Sequence, residues 1–230
     1  MDNTNRNRKK RLIAGLGTAA GLASAATLVL GITFGLFSAT QTSGNNVVTT
    51  GTVSVGNGSP ASVTCNTANM VPGDSSTGYG SLSAALTQCT FNVKYTGSAP
   101  AYLGVDVAVT SPNTTSTALY DGTASGLQLK VKDGTPTTYI NATSWTDQSG
   151  TSHTLSAGTP VTDLLVSTTP ASANQAVSFT VDYGLALTSG NAYQNADAKV
   201  VLTFHAVQSG NNTVPGACAA GHQCSGLTWS

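Results

Sequence analysis

Apolar and polar residues alternate with a period of two wherever the sequence is not turn-like. This pattern predicts β-strands that bury one face and expose the other, because successive side chains of a strand point to opposite sides. The longest row is Ala198, Val200, Leu202, Phe204 and Ala206, and shorter rows are Phe91–Val93–Tyr95, Leu127–Leu129–Val131 and Val177–Phe179–Val181. The segment from Tyr102 to Thr110 is more continuously apolar, which is typical of a central strand.

Turn signals separate these rows. They are Pro72-Gly73-Asp74, Thr96-Gly97-Ser98, Asp121-Gly122, Asp133-Gly134 and Ser189-Gly190-Asn191. Strands at this spacing, joined by Gly- and Asp-containing turns, predict an all-β fold: an antiparallel β-sandwich of the jelly-roll kind. Only the segment from Leu82 to Gln88 is compatible with a short helix.

The composition supports the same class. Glutamate is absent and charged residues make up 8% of the chain, whereas Thr, Ser, Gly, Ala and Val dominate. Glu, Lys and Arg normally cover helix surfaces, while Thr and Val favour half-buried positions in sheets. So little charge repels other copies weakly, which is a liability for a free monomer and tolerable for a subunit of an assembly.

The first residues predict an export signal. Five basic residues lie within an n-region at 1–11, and an apolar run follows at 12–37. Positive charge before an uncharged apolar segment is typical of a signal peptide, here assigned to residues 1–36 with cleavage within 35–40. We expect the run to form a signal helix, and its dilution by glycines favours cleavage over a retained anchor. We therefore expect a secreted, extracellular or cell-surface protein.

Without the signal, the chain keeps four lysines and eight aspartates. Such a surface has no basic patch to neutralise phosphates, so nucleic acid is not an expected partner. The roughly 190 remaining residues fit one domain with a sizeable core. We place this domain at 49–217, with a C-terminal tail at 218–230.

Four cysteines in an exported chain predict two disulfides. The spacing favours Cys65–Cys89 and Cys218–Cys224, although three pairings are open. The second pair would close a tight loop in the tail. A metal site is a weaker interpretation, because no CxxC spacing exists and only His222 lies near two cysteines.

Several segments, in order, resemble the TasA/camelysin family of exported proteins, whose signals are removed by a SipW-type signal peptidase. The matching segments are Leu36-Phe37-Ser38-Ala39-Thr40, Asn46 to Val55, Val71-Pro72-Gly73-Asp74, Phe91 to Ala101, Asn191-Ala192-Tyr193-Gln194 and Val200 to Gln208. The resemblance covers nearly the whole chain. It implies a jelly-roll subunit of extracellular fibres, of the kind found in biofilm matrix and bundling pili, with cell-surface or matrix components as possible partners.

In that family the N-terminal segment of the mature protein adds a strand to the next subunit. A jelly roll that lacks a strand exposes unpaired backbone groups, and an extended segment of a neighbour pairs with them. Because donor and acceptor are different surfaces, the contact propagates head to tail into a homopolymer. The resemblance places the candidate donor strand at 37–48, with apolar contacts from Phe37, Val47 and Val48. A plain polar tail is the alternative.

Camelysin is described as a metal-dependent peptidase, so catalysis is a second hypothesis. Zinc peptidases commonly place two His at i and i+4 with a Glu as base. Here His153, His205 and His222 are far apart and Glu is absent. We expect His205 at a surface or edge, His153 in a loop and His222 in a solvated turn. The aspartates are expected to cap turns, with calcium as an alternative. We therefore predict no enzyme activity, cofactor or metal.

A carbohydrate- or cell-surface-binding β-sandwich is a third hypothesis. Such domains present exposed aromatic residues, for which Trp145 and Trp229 are candidates, with Tyr120, Tyr139 and Tyr193 behind them. Packing in the core or against the tail explains these residues more simply.

Overall fold

The computed structural model describes residues 50–55, 61–68, 70, 72–80, 83–112, 117–135, 137–193 and 196–229. The predicted signal peptide and candidate donor strand lie outside them. The described strands are β1 (Thr50–Val55), β2 (Ala61–Ala68), β3 (Asp74–Ser76), β4 (Ser83–Leu86), β5 (Cys89–Tyr95), β6 (Ala101–Thr110), β7 (Leu127–Asp133), β8 (Thr138–Ala142), β9 (Ser144–Thr146), β10 (Ser152–Thr154), β11 (Val161–Leu165), β12 (Ala176–Leu185) and β13 (Asp197–Gln208). Two short 3-10 helices cover Asn191–Tyr193 and Ser209–Asn211.

The strands form two sheets. The small sheet has the order β11-β6-β13-β2, and the large sheet has the order β1-β5-β12-β7-β8-β9-β10, with β3 paired to β12 and β4 to β3. Eight strands make two antiparallel sets of four, β11-β6-β13-β2 and β5-β12-β7-β8. In chain order these eight strands alternate between the sheets except at the β7–β8 hairpin, which is the strand order of a jelly roll. The all-β sandwich prediction is confirmed.

The alternating residues fill the space between the sheets. Phe91 and Val93 of β5 and Leu129 and Val131 of β7 are almost fully buried, as are the inward residues of β6 and β13. Phe179 of β12 packs on a residue of the opposite sheet, Phe204, with ring centroids 4.8 Å apart. The period of two thus reports a single core between two layers.

One predicted element is wrong. The segment from Leu82 to Gln88 contains a strand, β4, which pairs in parallel with β3. Together β3 and β4 lie beside β12, through a bridge between Ser75 and Gly184. The four residues of β4 are too few for a stable helix without packing support, so the tertiary pairing determines their conformation.

Candidate functional site

The candidate donor residues Phe37, Val47 and Val48 lie outside the described residues, but the strand that they lead into is described. β1 pairs in parallel with β5, from Thr50 opposite Thr90 to Val55 opposite Tyr95. Within the described strands β1 is the last of the large sheet, and it lies beside β2, the last of the small sheet. The donor segment therefore joins the domain at the β1 edge of the large sheet. We call the line along which β1 and β2 meet the β1–β2 seam.

Both disulfides have the pairing that the spacing favoured. Cys65 of β2 and Cys89 of β5 join the two sheets, and both are buried. Cys218 and Cys224 close a loop near the C-terminus. Two disulfides indicate an oxidising, non-cytoplasmic environment. Among the described residues no helix has the length and apolar character needed to cross a membrane.

The C-terminal segment, which contains the Cys218–Cys224 loop, bonds to both β9 of the large sheet and β11 of the small sheet. It thereby closes the other side of the sandwich, which we call the β9–β11 seam. The amide of Gln223 donates to Thr146 of β9, and the amide of Cys224 donates to Asp163 of β11. Leu165 of β11 donates to His222. A second apolar cluster lies beneath this segment, where Leu165, Cys218, Cys224 and Leu227 are buried and Tyr102, Val214 and Trp229 pack against them. His222 is therefore a bridging residue of this seam.

His205 does not lie at an edge. It belongs to β13, between β6 and β2, and its imidazole Nε2 is 2.6 Å from the carboxylate of Asp106 on β6. The other oxygen of Asp106 accepts the backbone amide of Asp163 at 2.9 Å. Burial is the main factor that raises the pKa of Asp163, and the nearby Asp106 adds to it. This half-buried cluster ties β6, β13 and β11 together.

His153 lies in β10 rather than in a loop. Its ring stacks on Trp145 of β9, with centroids 4.7 Å apart, and its Nε2 is 2.8 Å from Asp147. The hydroxyl of Ser149 also donates to Asp147. Ser149, His153 and Asp147 therefore meet in one hairpin, but the hydroxyl and the imidazole each contact the carboxylate of Asp147. A catalytic triad requires the imidazole between the hydroxyl and the carboxylate, so this cluster cannot activate the serine.

Three aspartates stabilise turns in a common way. Asp121, Asp133 and Asp147 each accept the amide and the hydroxyl of the residue two positions later through one oxygen. The second carboxylate oxygen is within hydrogen-bond distance of a tyrosine hydroxyl or an imidazole: Tyr193 for Asp121, Tyr139 for Asp133 and His153 for Asp147. Such Asx turns saturate the carboxylates with protein donors, which leaves them poor calcium ligands.

The described part of the chain shows no assembled site for a metal-dependent peptidase or for a carbohydrate-binding module. No group of three His, Cys, Asp or Glu side chains there is arranged to hold a metal ion. Tyr120, Tyr139 and Tyr193 are buried, and one face of Trp145 is covered by His153. An open polar cleft of about 420 Å³ lies between the β9–β10 turn and the C-terminal loop, lined by Asp147, Gln148, Ser149, Ala217, Gln223 and Ser225.

An ion pair between a partly exposed lysine and a buried aspartate on the large sheet was not anticipated. Asp182 of β12 is fully buried on the face away from the core, and Lys132 of β7 approaches it to 2.9 Å. In the sequence both residues occupy polar positions of alternating strands, which predicts exposure. The β3–β4 segment covers Asp182, and its placement could not be inferred from the alternation.

Comparisons with protein-family models, with curated proteins and with solved structures found no significant match.

Proposed function

We propose that this protein is a secreted structural subunit of extracellular filaments, and that the 37–48 segment of one subunit adds a strand to the next. The observation that carries the proposal is the position of β1. It is an edge strand among the described elements, it pairs in parallel with β5, and only Thr49 separates it from the donor segment. A strand edge with free backbone groups is a template for pairing with another chain.

The acceptor differs from the one expected from the resemblance. All eight jelly-roll strands come from the described residues of one chain, so the donor does not replace a missing member of that set. We propose that it extends the large sheet at the β1–β2 seam. The β9–β11 seam is already bridged by the C-terminal loop, which leaves one side of the sandwich for association.

Two further observations favour a structural role. His205 pairs with Asp106. His153 and the hydroxyl of Ser149 both contact Asp147, which is not the hydroxyl–imidazole–carboxylate order of a catalytic triad. The low charge of the chain suits a subunit that contacts its own copies. The predicted roles in biofilm matrix or pilus bundles belong to this proposal.

The test is filament formation by the secreted protein, observed by negative-stain electron microscopy. Deleting residues 37–48 should leave a folded monomer that forms no filaments. Val47→Ser/Val48→Ser, which lies outside the predicted cleavage window, should weaken assembly strongly. Replacing Gln41 to Asn46 by a Gly/Ser stretch of equal length is the control and should preserve filaments. Undiminished filaments from the deletion would reject the donor assignment.

The same preparation separates the other hypotheses. Peptidase activity that persists through purification and disappears with a chelator would support the camelysin-type alternative. Binding on a glycan array that is lost in Trp145→Ala would support a carbohydrate-binding module.

A further inference from the structure

Lys132 and Asp182 lie side by side on the outer face of the large sheet. The strands β7 and β12 are antiparallel neighbours, with Asp182 directly opposite Lys130 and Lys132 two pairs further along, opposite Thr180. The Nζ atom of Lys132 is 2.9 Å from Oδ2 of Asp182. The Asp182 side chain is fully buried, whereas the Lys132 side chain is 32% exposed.

The carboxylate of Asp182 is enclosed by the β3 segment. Ser76 donates its hydroxyl to Oδ1 at 3.3 Å and accepts the amide of Tyr183 at 3.0 Å. A Cβ atom at Gly78 would lie only 2.3 Å from Oδ1, so the backbone at Gly78 rests directly on the carboxylate. The absence of a side chain at residue 78 is what allows this close cover.

The enclosed carboxylate is incompletely satisfied. Oδ2 accepts no hydrogen bond of acceptable geometry in the described structure, although Nζ of Lys132 is within ion-pair distance. A buried carboxylate keeps its desolvation cost unless its ion-pair partner and hydrogen bonds offset it. Transfer of a proton from Nζ to Oδ2 would leave a neutral amine beside a neutral carboxylic acid.

We propose that Lys132 and Asp182 condense into an intramolecular amide bond that joins β7 to β12. The lone pair of Nζ attacks Cγ, the new N–C bond forms, and the Cγ–Oδ2 bond breaks. Oδ2 leaves as water with two protons that originate from the ammonium group. The hydroxyl of Ser76 on Oδ1 polarises the carbonyl during attack. The step needs no oxidant, reductant or external group, and the partly exposed Lys132 side gives the water a way out.

The bond would have a mechanical consequence. β7 and β12 are adjacent in the middle of the large sheet, and an amide between them cannot be pulled apart by strand separation. The inference stands independently of filament formation, because the geometry lies within one chain.

Peptide mass spectrometry of the secreted, reduced and denatured protein tests the proposal. A lysine in an amide bond is not a trypsin site, so we expect one peptide spanning 131–199 whose mass is lower by one water molecule. Lys132→Arg keeps the positive charge but cannot form the bond, and it should release 133–199 at full mass. Lys130→Arg is the matched control and should retain the dehydrated linkage.

Complete cleavage after Lys132 in the wild-type protein, with 133–199 at its full mass, would overturn the proposal and leave a simple ion pair. Persistence of the water loss in Lys132→Arg would also overturn it, because the dehydration would then lie elsewhere. Neither result depends on whether filaments form, so this proposal and the proposed function fail separately.

Discussion

Cys65 and Cys89 form a covalent link between β2, at the end of the small sheet, and β5, the strand that carries β1. Both half-cystines are buried in the core. The link therefore fixes the two sheets against each other close to the β1–β2 seam. On the opposite side, the Cys218–Cys224 loop bridges β9 and β11. Each disulfide thus supports one side of the sandwich.

Removing the cross-sheet disulfide should destabilise the domain more than removing the loop disulfide. Cys65→Ser/Cys89→Ser opens a loop with a sequence separation of 24, against 6 for Cys218→Ser/Cys224→Ser. From the entropy of loop closure we expect the unfolding free energy to fall by about 3 kcal/mol in the first variant and by about 2 kcal/mol in the second. Guanidinium unfolding followed by circular dichroism measures both. A larger loss in the second variant would contradict the entropic ranking and point to packing in the C-terminal cluster.

The strands were largely predictable because their periodicity depends on local sequence. Alternation of buried and exposed side chains in β5 and β13 closely follows the alternation of apolar and polar residues in the sequence. The pattern reports which face a residue occupies but not which strands flank it. For this reason the pattern of β13 places His205 on the polar face of its strand, but it does not predict the central position of that strand or the contact with Asp106.

The polar clusters were less predictable because they depend on pairs distant in sequence. The Asp turns could be inferred, since an aspartate followed two residues later by Ser or Thr is a local signal. The Lys132–Asp182 pair could not, because it requires the register of β7 against β12 and the cover from β3. The same limit applies to the C-terminal loop, which the sequence predicted only as a disulfide-closed tail.

Alkaline pH should unfold the domain through its buried tyrosines. Burial, followed by the charge and the hydrogen bond of Asp133, raises the pKa of Tyr139 far above the ordinary tyrosine value of 10.0. Burial is also the largest cause of the raised pKa of Tyr120. A raised pKa in the folded state stabilises the fold fully below pH 10, and this contribution is lost as the pH rises above it. Urea midpoints measured from pH 8 to pH 11 should therefore fall above about pH 10.

Tyr139→Phe provides the control for the alkaline effect. At neutral pH it removes the donor at 2.8 Å from Oδ2 of Asp133, and we expect a loss of about 1–2 kcal/mol in unfolding free energy. Above pH 10 the free energy of unfolding should fall less steeply with pH in this variant than in the wild type, by about 1.4 kcal/mol per pH unit. An unchanged slope would show that Tyr139 ionises in the folded state.

Asp147 should titrate well below the ordinary range of an aspartate. The hydroxyl of Ser149 is the largest factor that lowers the pKa of Asp147, followed by His153 and the amide of Thr151. Carbon-detected NMR of the carboxyl group during acid titration measures this directly. Ser149→Ala should raise the pKa of Asp147 toward the ordinary aspartate value of 3.8, and Ser156→Ala, in the next turn, should leave it unchanged. Because the Asp147 side chain lies at the surface and is 26% exposed, solvent screens the interaction, and the shift reports local geometry more than the stability of the domain.

Gly104 should prove essential for seating the C-terminal segment. A Cβ atom at this position would lie 3.0 Å from the indole ring of Trp229, whose Nε1 donates to the carbonyl of Cys224. Gly104→Val adds a branched side chain beneath the ring, so the indole must move away from the small sheet. We expect a red shift of tryptophan emission and faster proteolysis after residue 212, with the main β-sheet signal retained. Gly210→Ala, where a Cβ meets nothing within 4 Å, is the matched control and should behave as the wild type. An unshifted spectrum in Gly104→Val would mean that Trp229 does not rest on β6, and the C-terminal segment would then be held by its backbone bonds to β9 and β11 and by the rest of its apolar cluster.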